Sequence, residues 1–345
     1  MASPDHSPAN TFVGRVRGIY HLIGFTKGYN FVLWVTCTGI LLGFSLYRLQ
    51  FLDFHGVFCS GAVKSKFNHA APGECFYFLQ QPYKMGVILH LAGILPAAIL
   101  ACIQFVPAFR HKAVSLHRIN GHIVTIMSVV SIAGVFVILP RSFGGGFGVQ
   151  VVGGVLAVSF LWALHMAYIN IKRLRIEQHR AWMLRAWYWA GSIITQRIIH
   201  IVSLKLLNSN PSYYAMPCDK IDSMLGTRTL DLYPRCTRFY SGEDPQTTAV
   251  VRADLNHPTS VVEAAAALDS TFARTTFLAF LLHILGVEIY LRLTQGETER
   301  LRNISHKRQL STSMENLGES APTDYPYLST TQNTQNRGFF EASRT

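Results

Sequence analysis

Six stretches of the chain, each about twenty residues long, consist mainly of apolar side chains. A helix needs about 20 apolar residues to cross the hydrocarbon core of a bilayer. The sequence therefore predicts an all-α fold, a polytopic membrane helix bundle of six spans. The predicted spans are Asn30–Leu49, Lys84–Pro107, Ile119–Leu139, Phe147–Ile171, Trp182–Leu207 and Thr271–Leu293.

The composition also indicates a membrane protein. Hydrophobic residues make up 49% of the chain and charged residues 14%, which is apolar and poorly charged for a soluble protein. A net charge of +12 is compatible with a nucleic-acid ligand, but the basic residues lie beside the spans. The predicted partner is therefore the lipid bilayer and not a nucleic acid.

The spans divide the chain into three segments. Residues 1–29 form a short polar lead, and residues 30–293 form the membrane domain, with long loops at 50–83 and 208–270. Residues 294–345 are rich in Ser, Thr, Asn and Gln and are predicted to be a disordered tail.

The Lys and Arg residues predict the orientation. They cluster in the lead, in the connectors 108–118 and 172–185, and after the sixth span. Six spans place these segments on one side, and cytosolic segments carry the excess of Lys and Arg. Both termini are therefore predicted to be cytosolic, in a multi-pass protein of the secretory pathway or the plasma membrane.

Four of the six cysteines support this topology independently. Cys59 and Cys75 lie in the first long loop, and Cys218 and Cys236 lie in the second. Both loops are assigned to the exoplasmic side, which is an oxidising compartment. Two cysteines in each loop predict one disulfide in each.

The fifth span carries the most polar residues. One helical face begins at His179, ends at His200 and also carries Arg197. This face is about 31 Å long at 1.5 Å per residue, which is roughly the thickness of a bilayer core. Because ionisable groups in a spanning helix are expensive, this face is predicted to line the interior of the bundle.

The histidines form two layers by depth. His90 and His200 lie in the exoplasmic layer, and His117, His122, His165 and His179 lie in the cytosolic layer. A transmembrane electron carrier with two b-type haems needs axial imidazoles from different helices at matching depth. The predicted ligand pairs are His90 with His200 and His122 with His165, with His117 and His179 as alternates. Arg118, Arg180 and Arg197 are the predicted partners of the haem propionates.

A plainer interpretation of the same residues stays open. The histidines can form hydrogen bonds with neighbouring helices and bind no cofactor. The small residues that would leave room for a haem, Gly93, Gly121, Ala186 and Ala190, also allow helices to pack closely. Arg185 and Glu288 both lie near the cytosolic ends of their spans, which predicts an ion pair between them.

Two motifs resemble a known family. His117-Arg-Ile-Asn-Gly and His179-Arg-Ala-Trp-Met-Leu-Arg each open a span, and they resemble the domain of unknown function 2306 family of predicted integral membrane proteins. The resemblance covers roughly residues 85–205. His122 stands where the family pattern has a basic residue. The resemblance implies a membrane bundle and marks the His-Arg pairs, but it implies no reaction.

Three functions fit these observations. The first is a transmembrane oxidoreductase with b-type haem that receives electrons from a small donor. The second is a cofactor-free membrane enzyme for a lipophilic, isoprenoid-like substrate, in which Glu288, His165 or His283 transfers protons. The third is a transporter or structural protein whose buried Arg and His residues bind an anion or specify helix packing.

Overall fold

The computed structural model describes residues 8–25, 27–60, 70–206, 212–255 and 257–319. Thirteen α-helices and two short strands are assigned in these residues. In chain order they are α1 (Pro8–Leu22), α2 (Gly28–Arg48), α3 (Glu74–Phe78), α4 (Tyr83–Gln104), α5 (Pro107–Lys112), α6 (Val114–Ile138), α7 (Phe147–Lys172), α8 (Ile176–Leu206), β1 (Ser212–Pro217), α9 (Cys218–Leu225), α10 (Thr229–Leu232), α11 (Thr237–Tyr240), β2 (Thr248–Ala253), α12 (Val261–Leu293) and α13 (Gln295–Glu319).

Five of these helices are long and apolar enough to cross a membrane: α2, with the turn that extends it to Leu52, then α4, α6, α7 and α12. They agree with five of the six predicted spans, and the prediction of a polytopic helix bundle is confirmed. The fifth predicted span, Trp182–Leu207, lies in α8, whose charged residues lower its hydropathy. With 31 residues α8 is about 46 Å long, and it packs against both α7 and α12.

The segments between the long helices meet at two opposite ends of the bundle. At one end, Glu74 of the first long loop binds Lys220 of the second, and it accepts a hydrogen bond from the backbone of Phe143 in the α6–α7 turn. We call this the cap end. At the other end, Ala108 donates to the carbonyl of Ile23. We call this the basic end.

Two further contacts define the path of α8 between these ends. The backbone NH of Ile176, at its start, donates to Ser305 of α13 at the basic end. Arg197, near its other end, lies against Phe143 at the cap end. The connectors between helices therefore alternate between the two ends, as the prediction of six spans requires.

The cap is a small disulfide-bearing structure on top of the helices. Both predicted disulfides are confirmed, between Cys59 and Cys75 and between Cys218 and Cys236. Strands β1 and β2 pair antiparallel, with Tyr214 opposite Val251. Both cysteines of the second disulfide are fully buried beneath this pair of strands, in a core that includes the start of α12. This pair of strands is a small β element that the all-α prediction did not include.

Helices α4 and α6 form the closest pair in the bundle. A Cβ on Gly93 would lie 2.7 Å from the backbone oxygen of Met127, so a side chain at this position cannot be accommodated without moving α6. Ala97, Ala98 and Ala101 continue the same tight packing toward α7 and α8. Small residues at helix crossings allow this approach, because dispersion contacts hold membrane helices together.

The structure corrects two segment boundaries. The tail predicted to be disordered from residue 294 begins with α13, because Leu301 and Ser305 are buried against the start of α8 and stabilise a helix there. The predicted loop 208–270 ends at residue 260, where α12 begins. Asp269, which the sequence suggested to be a loop residue, lies inside α12. The rest of the predicted tail, residues 320–345, lies outside the described residues.

Candidate functional site

The cap end contains a buried ionic cluster that we call the cap cluster: Glu74, Lys220 and Asp269. The ammonium nitrogen of Lys220 lies 2.8 Å from Oδ2 of Asp269 and 3.3 Å from Oε1 of Glu74. The three side chains are 1–2% exposed. They come from the second loop, the first loop and α12, so the cluster joins the cap to the bundle.

Neighbouring groups satisfy the rest of the cap cluster. Oε2 of Glu74 accepts the backbone NH of Phe143 at 2.9 Å. Gly144, which follows, has φ +77°, and a Cβ there would collide with the hydroxyl of Tyr214. Burial and the nearby carboxylates raise the pKa of Tyr214 to about 12, so this phenol keeps its proton.

The proton balance of the cap cluster follows from burial and charge. Burial raises the pKa of Glu74 to about 7, against the opposing charge of Lys220. Burial favours the neutral amine of Lys220, but Asp269 and Glu74 outweigh it and raise its pKa. One cation therefore faces two acids, and burial shifts one of them, Glu74, toward its protonated form. The cap cluster is enclosed and close to electrical balance.

The predicted haem ligand His200 lies near this cluster, and both of its ring nitrogens have partners. Thr271 donates its own hydrogen to the carbonyl of Ala267, so its hydroxyl accepts from Nε2 of His200 at 2.8 Å. Nδ1 then accepts from the side-chain amide of Gln196 at 3.2 Å. His200 is 3% exposed. This environment is that of a hydrogen-bonded core histidine.

His90, the predicted partner of His200, faces α6. Its Nδ1 lies 2.9 Å from the hydroxyl of Ser131, which in turn donates to the backbone oxygen of His90. The space beside Gly93, about one turn farther along α4, is filled by Met127 and Ser131 of α6. The space that a macrocycle would need beside His90 is therefore occupied by helix packing.

The second predicted ligand pair lies on the outer surface of the bundle. His122 on α6 and His165 on α7 are both exposed, and Arg118 is exposed on the same helix as His122. His165 contacts Trp162 on its own helix, with ring centroids 6.0 Å apart. No contact between His122 and His165 occurs in the described structure. The residues thus do not fit haem in this arrangement, and haem binding stays a prediction.

The predicted ion pair between Arg185 and Glu288 is confirmed. Nε and Nη2 of Arg185 donate to the two carboxylate oxygens at 2.6 and 3.0 Å. Arg185 also lies over the ring of Trp182, 4.7 Å from its centroid. The bidentate contact commits Glu288 to a structural role. His283 is similarly engaged, by the backbone oxygen of Tyr188 and the hydroxyl of Thr195.

The basic end contains a second group of charged residues, which we call the basic-end cluster: Arg110, His179, Arg180, Glu297 and Arg300. Arg300 donates to both oxygens of Glu297 at 2.7 Å, and Arg110 lies 4.0 Å from the same carboxylate. Nη2 of Arg180 donates to the hydroxyl of Thr294 at 3.3 Å. Arg300 and Arg110 therefore share this carboxylate, and Arg180 acts on it electrostatically.

The charges of this cluster act on one another. Burial lowers the pKa of Arg110, Glu297 opposes the shift, and the positive charges of Arg180 and Arg300 add to it. The hydrogen bonds from Arg300 lower the pKa of Glu297, so this carboxylate stays ionised. The basic-end cluster carries an excess of positive charge, and Arg110 and Glu297 are about one-third exposed.

His179 stands in this cluster with one ring nitrogen committed. Its Nδ1 lies 2.9 Å from the backbone oxygen of Ala167. A carbonyl oxygen can only accept, so Nδ1 carries the proton and Nε2 of the neutral ring has a lone pair. Arg110 is close enough to act on this ring electrostatically. The arrangement combines a base with cations that can hold an anion.

Both His-Arg motifs lie at the basic end. The ring of His117 packs against Phe109, which precedes Arg110, with centroids 6.2 Å apart. Asn120 donates to the backbone oxygen of Leu100 and joins α6 to α4. The first motif thus supplies helix packing at the basic end, and the second supplies His179 and Arg180.

Six charged residues of the two clusters do not stand out in the sequence. Glu74, Lys220 and Asp269 lie in segments that the sequence predicts to be loops, where a charged residue attracts no notice. Arg110 was counted only as an orientation signal, and Glu297 was placed in the tail. The Glu297-x-x-Arg300 spacing indicates a helical ion pair and was the one available signal.

Together, the fold and the five apolar helices define a multi-pass membrane protein with a charged cluster at each end. Residues 87–216 match the model of a family described as predicted membrane protein, domain of unknown function 2306. This match includes both His-Arg motifs and confirms the resemblance.

The chain is also similar to a named fungal protein. It is 24% identical to the Ava biosynthesis cluster protein G of Aspergillus versicolor over 311 residues, which cover 78% of this chain and 90% of the relative. No solved structure matches the chain.

Proposed function

We propose that the protein is a membrane-embedded biosynthetic enzyme that rearranges an anionic, lipophilic substrate by proton transfer at the basic end. The observation that carries this proposal is the geometry of His179, whose Nε2 has no hydrogen-bond partner among the described residues and whose ring lies within electrostatic reach of Arg110. The name of the fungal relative, a biosynthesis cluster protein, supports a biosynthetic role.

The chemistry needs no oxidant or second reactant. Arg110 and Arg180 hold the anionic group of the substrate through charge-assisted hydrogen bonds. Nε2 of His179 removes a proton from a substrate carbon, so one C–H bond breaks and one N–H bond forms. The same proton returns to another substrate atom, and the net reaction is an isomerisation or a cyclisation.

Other parts of the bundle favour the basic end for this role. Glu288 and His283, which sequence analysis considered for proton transfer, are both held by hydrogen bonds. The cap cluster is enclosed, so its charged groups are not open to a ligand. His165 is exposed on the surface of α7 and stands apart from the guanidinium groups.

The test compares lipid-soluble extracts by mass spectrometry from cells that produce the chain, cells that lack it, and cells that produce His179→Asn. The asparagine amide can still donate to Ala167 but offers no base. His165→Asn, on an exposed face, is the matched control. We expect one compound to be lost in the deletion and in His179→Asn and kept in the control. Identical extracts from all strains, or full retention in His179→Asn at equal protein level, would refute the proposal.

A further inference from the structure

Two arginines near the cap end have no salt-bridge partner among the described residues. Arg48 ends α2 and Arg197 lies in α8, and both residues are half-buried. The Nε atoms of both guanidinium groups are buried and lack a hydrogen-bond partner, and no described carboxylate forms a salt bridge with either residue. Arginine does not lose its proton in proteins, so both groups stay charged.

The two guanidinium groups belong to one site. Helices α2 and α8 are in contact, and Arg48 and Glu74 are the two charged residues that act electrostatically on Arg197. Glu74 is already bound by Lys220 and by the backbone of Phe143. Both of its oxygens already accept a hydrogen bond, and Glu74 forms no salt bridge with either arginine among the described residues.

Aromatic rings surround both groups without neutralising them. The guanidinium of Arg48 lies 4.7 Å from the ring centre of Phe51 and 5.2 Å from that of Phe44. Arg197 lies 5.4 Å from the ring centre of Phe143 and 5.9 Å from that of Phe272. Ring faces attract a cation, but they supply no net negative charge.

Buried charges in proteins are paired, because removing an ion from water without a counter-charge is expensive. We propose that Arg48 and Arg197 together bind the anionic headgroup of an amphiphile that enters between α2 and α8.

The apolar part of this ligand would lie toward the middle of the bundle. Phe44 and Leu41, one and two turns before Arg48 on α2, continue the face of Arg48 with apolar side chains. Phosphate and carboxylate groups both match two guanidinium forks. This site lies at the opposite end from His179, so it is independent of the proposed function.

The test uses the purified full-length chain in detergent, with phosphatidylglycerol and inorganic phosphate as separate probes. Bound lipid is measured by native mass spectrometry, and the melting temperature is measured at increasing probe concentration. The variants are Arg48→Gln and Arg197→Gln. Arg274→Gln is the matched control. Arg274 is an exposed arginine of α12, two residues after Phe272, whose ring contacts Arg197.

We expect phosphatidylglycerol to bind and stabilise the wild type, and each of the two variants to weaken its binding by about tenfold or more. Arg274→Gln should bind as the wild type does. Equal affinity of all variants for phosphatidylglycerol would overturn the site, and equal stabilisation by inorganic phosphate would overturn its assignment to an amphiphile. If Arg197→Gln fails to fold, Arg48→Gln carries the same test, because the described contacts of Arg48 are with aromatic rings.

Discussion

The two charged clusters of this bundle use similar residue types in opposite ways. In the cap cluster one cation faces two acids, and all three side chains are enclosed. In the basic-end cluster Arg300 and Arg110 share the carboxylate of Glu297, Arg180 acts on it electrostatically, and Arg110 and Glu297 remain about one-third exposed. The charged groups of the cap cluster are enclosed and bind one another. The basic-end cluster instead has more guanidinium groups than carboxylates, and His179 lies among them. We therefore propose that the cap cluster stabilises the fold and that the basic-end cluster carries out the proton transfer.

The largest expected effect is at Lys220. Lys220→Met leaves two acids buried without a cation, which should destabilise the protein by about 3–5 kcal/mol. The melting temperature in detergent measures this loss, with Lys205→Met at an exposed position as the control.

A triple variant sharpens the same prediction. Replacing Lys220, Glu74 and Asp269 together with apolar residues should recover most of the loss, because no charge then remains uncompensated. A single variant as stable as the wild type would contradict a structural role for the cap cluster.

The next effect concerns the second disulfide. Cys218→Ser combined with Cys236→Ser opens a loop of 18 residues, and the expected cost is about 3 kcal/mol from the greater freedom of the unfolded chain. Limited proteolysis should cleave the cap of this variant first and leave α13 as resistant as in the wild type. Equal loss of protection at both ends would mean that the cap is not a separate stabilising structure.

A smaller effect is expected from the protonation of Glu74. Its pKa is about 7 in the folded protein and about 4.3 in an unfolded chain. Between these values the folded state binds more protons, so this group makes stability fall as the pH rises from about 4.3 to about 7. Melting temperatures at a series of pH values should show this decline, and Glu74→Gln should reduce it. An unchanged slope in the variant would assign the pH dependence to other groups.

The smallest expected effect concerns the visible absorption spectrum. His200 has a partner on each ring nitrogen, so we expect no sharp α band in the visible spectrum of the purified, dithionite-reduced chain, and no change in His200→Ala. A band that is present in the wild type and lost in His200→Ala would restore the haem hypothesis, with Thr271 and Gln196 moved away from the ring.

The sequence predicted the long apolar helices and the two disulfides well. The length of each apolar segment and the positions of the cysteines indicate these features directly. They did not predict the cap cluster, since Lys220 is 146 residues from Glu74 and 49 from Asp269. Asp269 looked like a loop residue because an acid in a span is expensive, and pairing with Lys220 is what allows it to be buried.

The histidines illustrate the other limit of sequence analysis. Depth along a helix follows from residue number, but the side of the bundle that a residue faces depends on how the helices pack. His122 and His165 share a predicted depth and yet both point outward. His179 was predicted only as an alternate ligand, although its hydrogen bond to Ala167 leaves it the free base of the basic end.

The most direct test of this division measures product per folded protein and melting temperature for His179→Asn and Glu74→Gln side by side. We expect His179→Asn to lose product by about a hundredfold or more, as removal of a general base does, with little change in melting temperature. Glu74→Gln should change the melting temperature and keep the product. The reverse result, with product lost in Glu74→Gln and kept in His179→Asn, would contradict the account and move the chemistry to the cap.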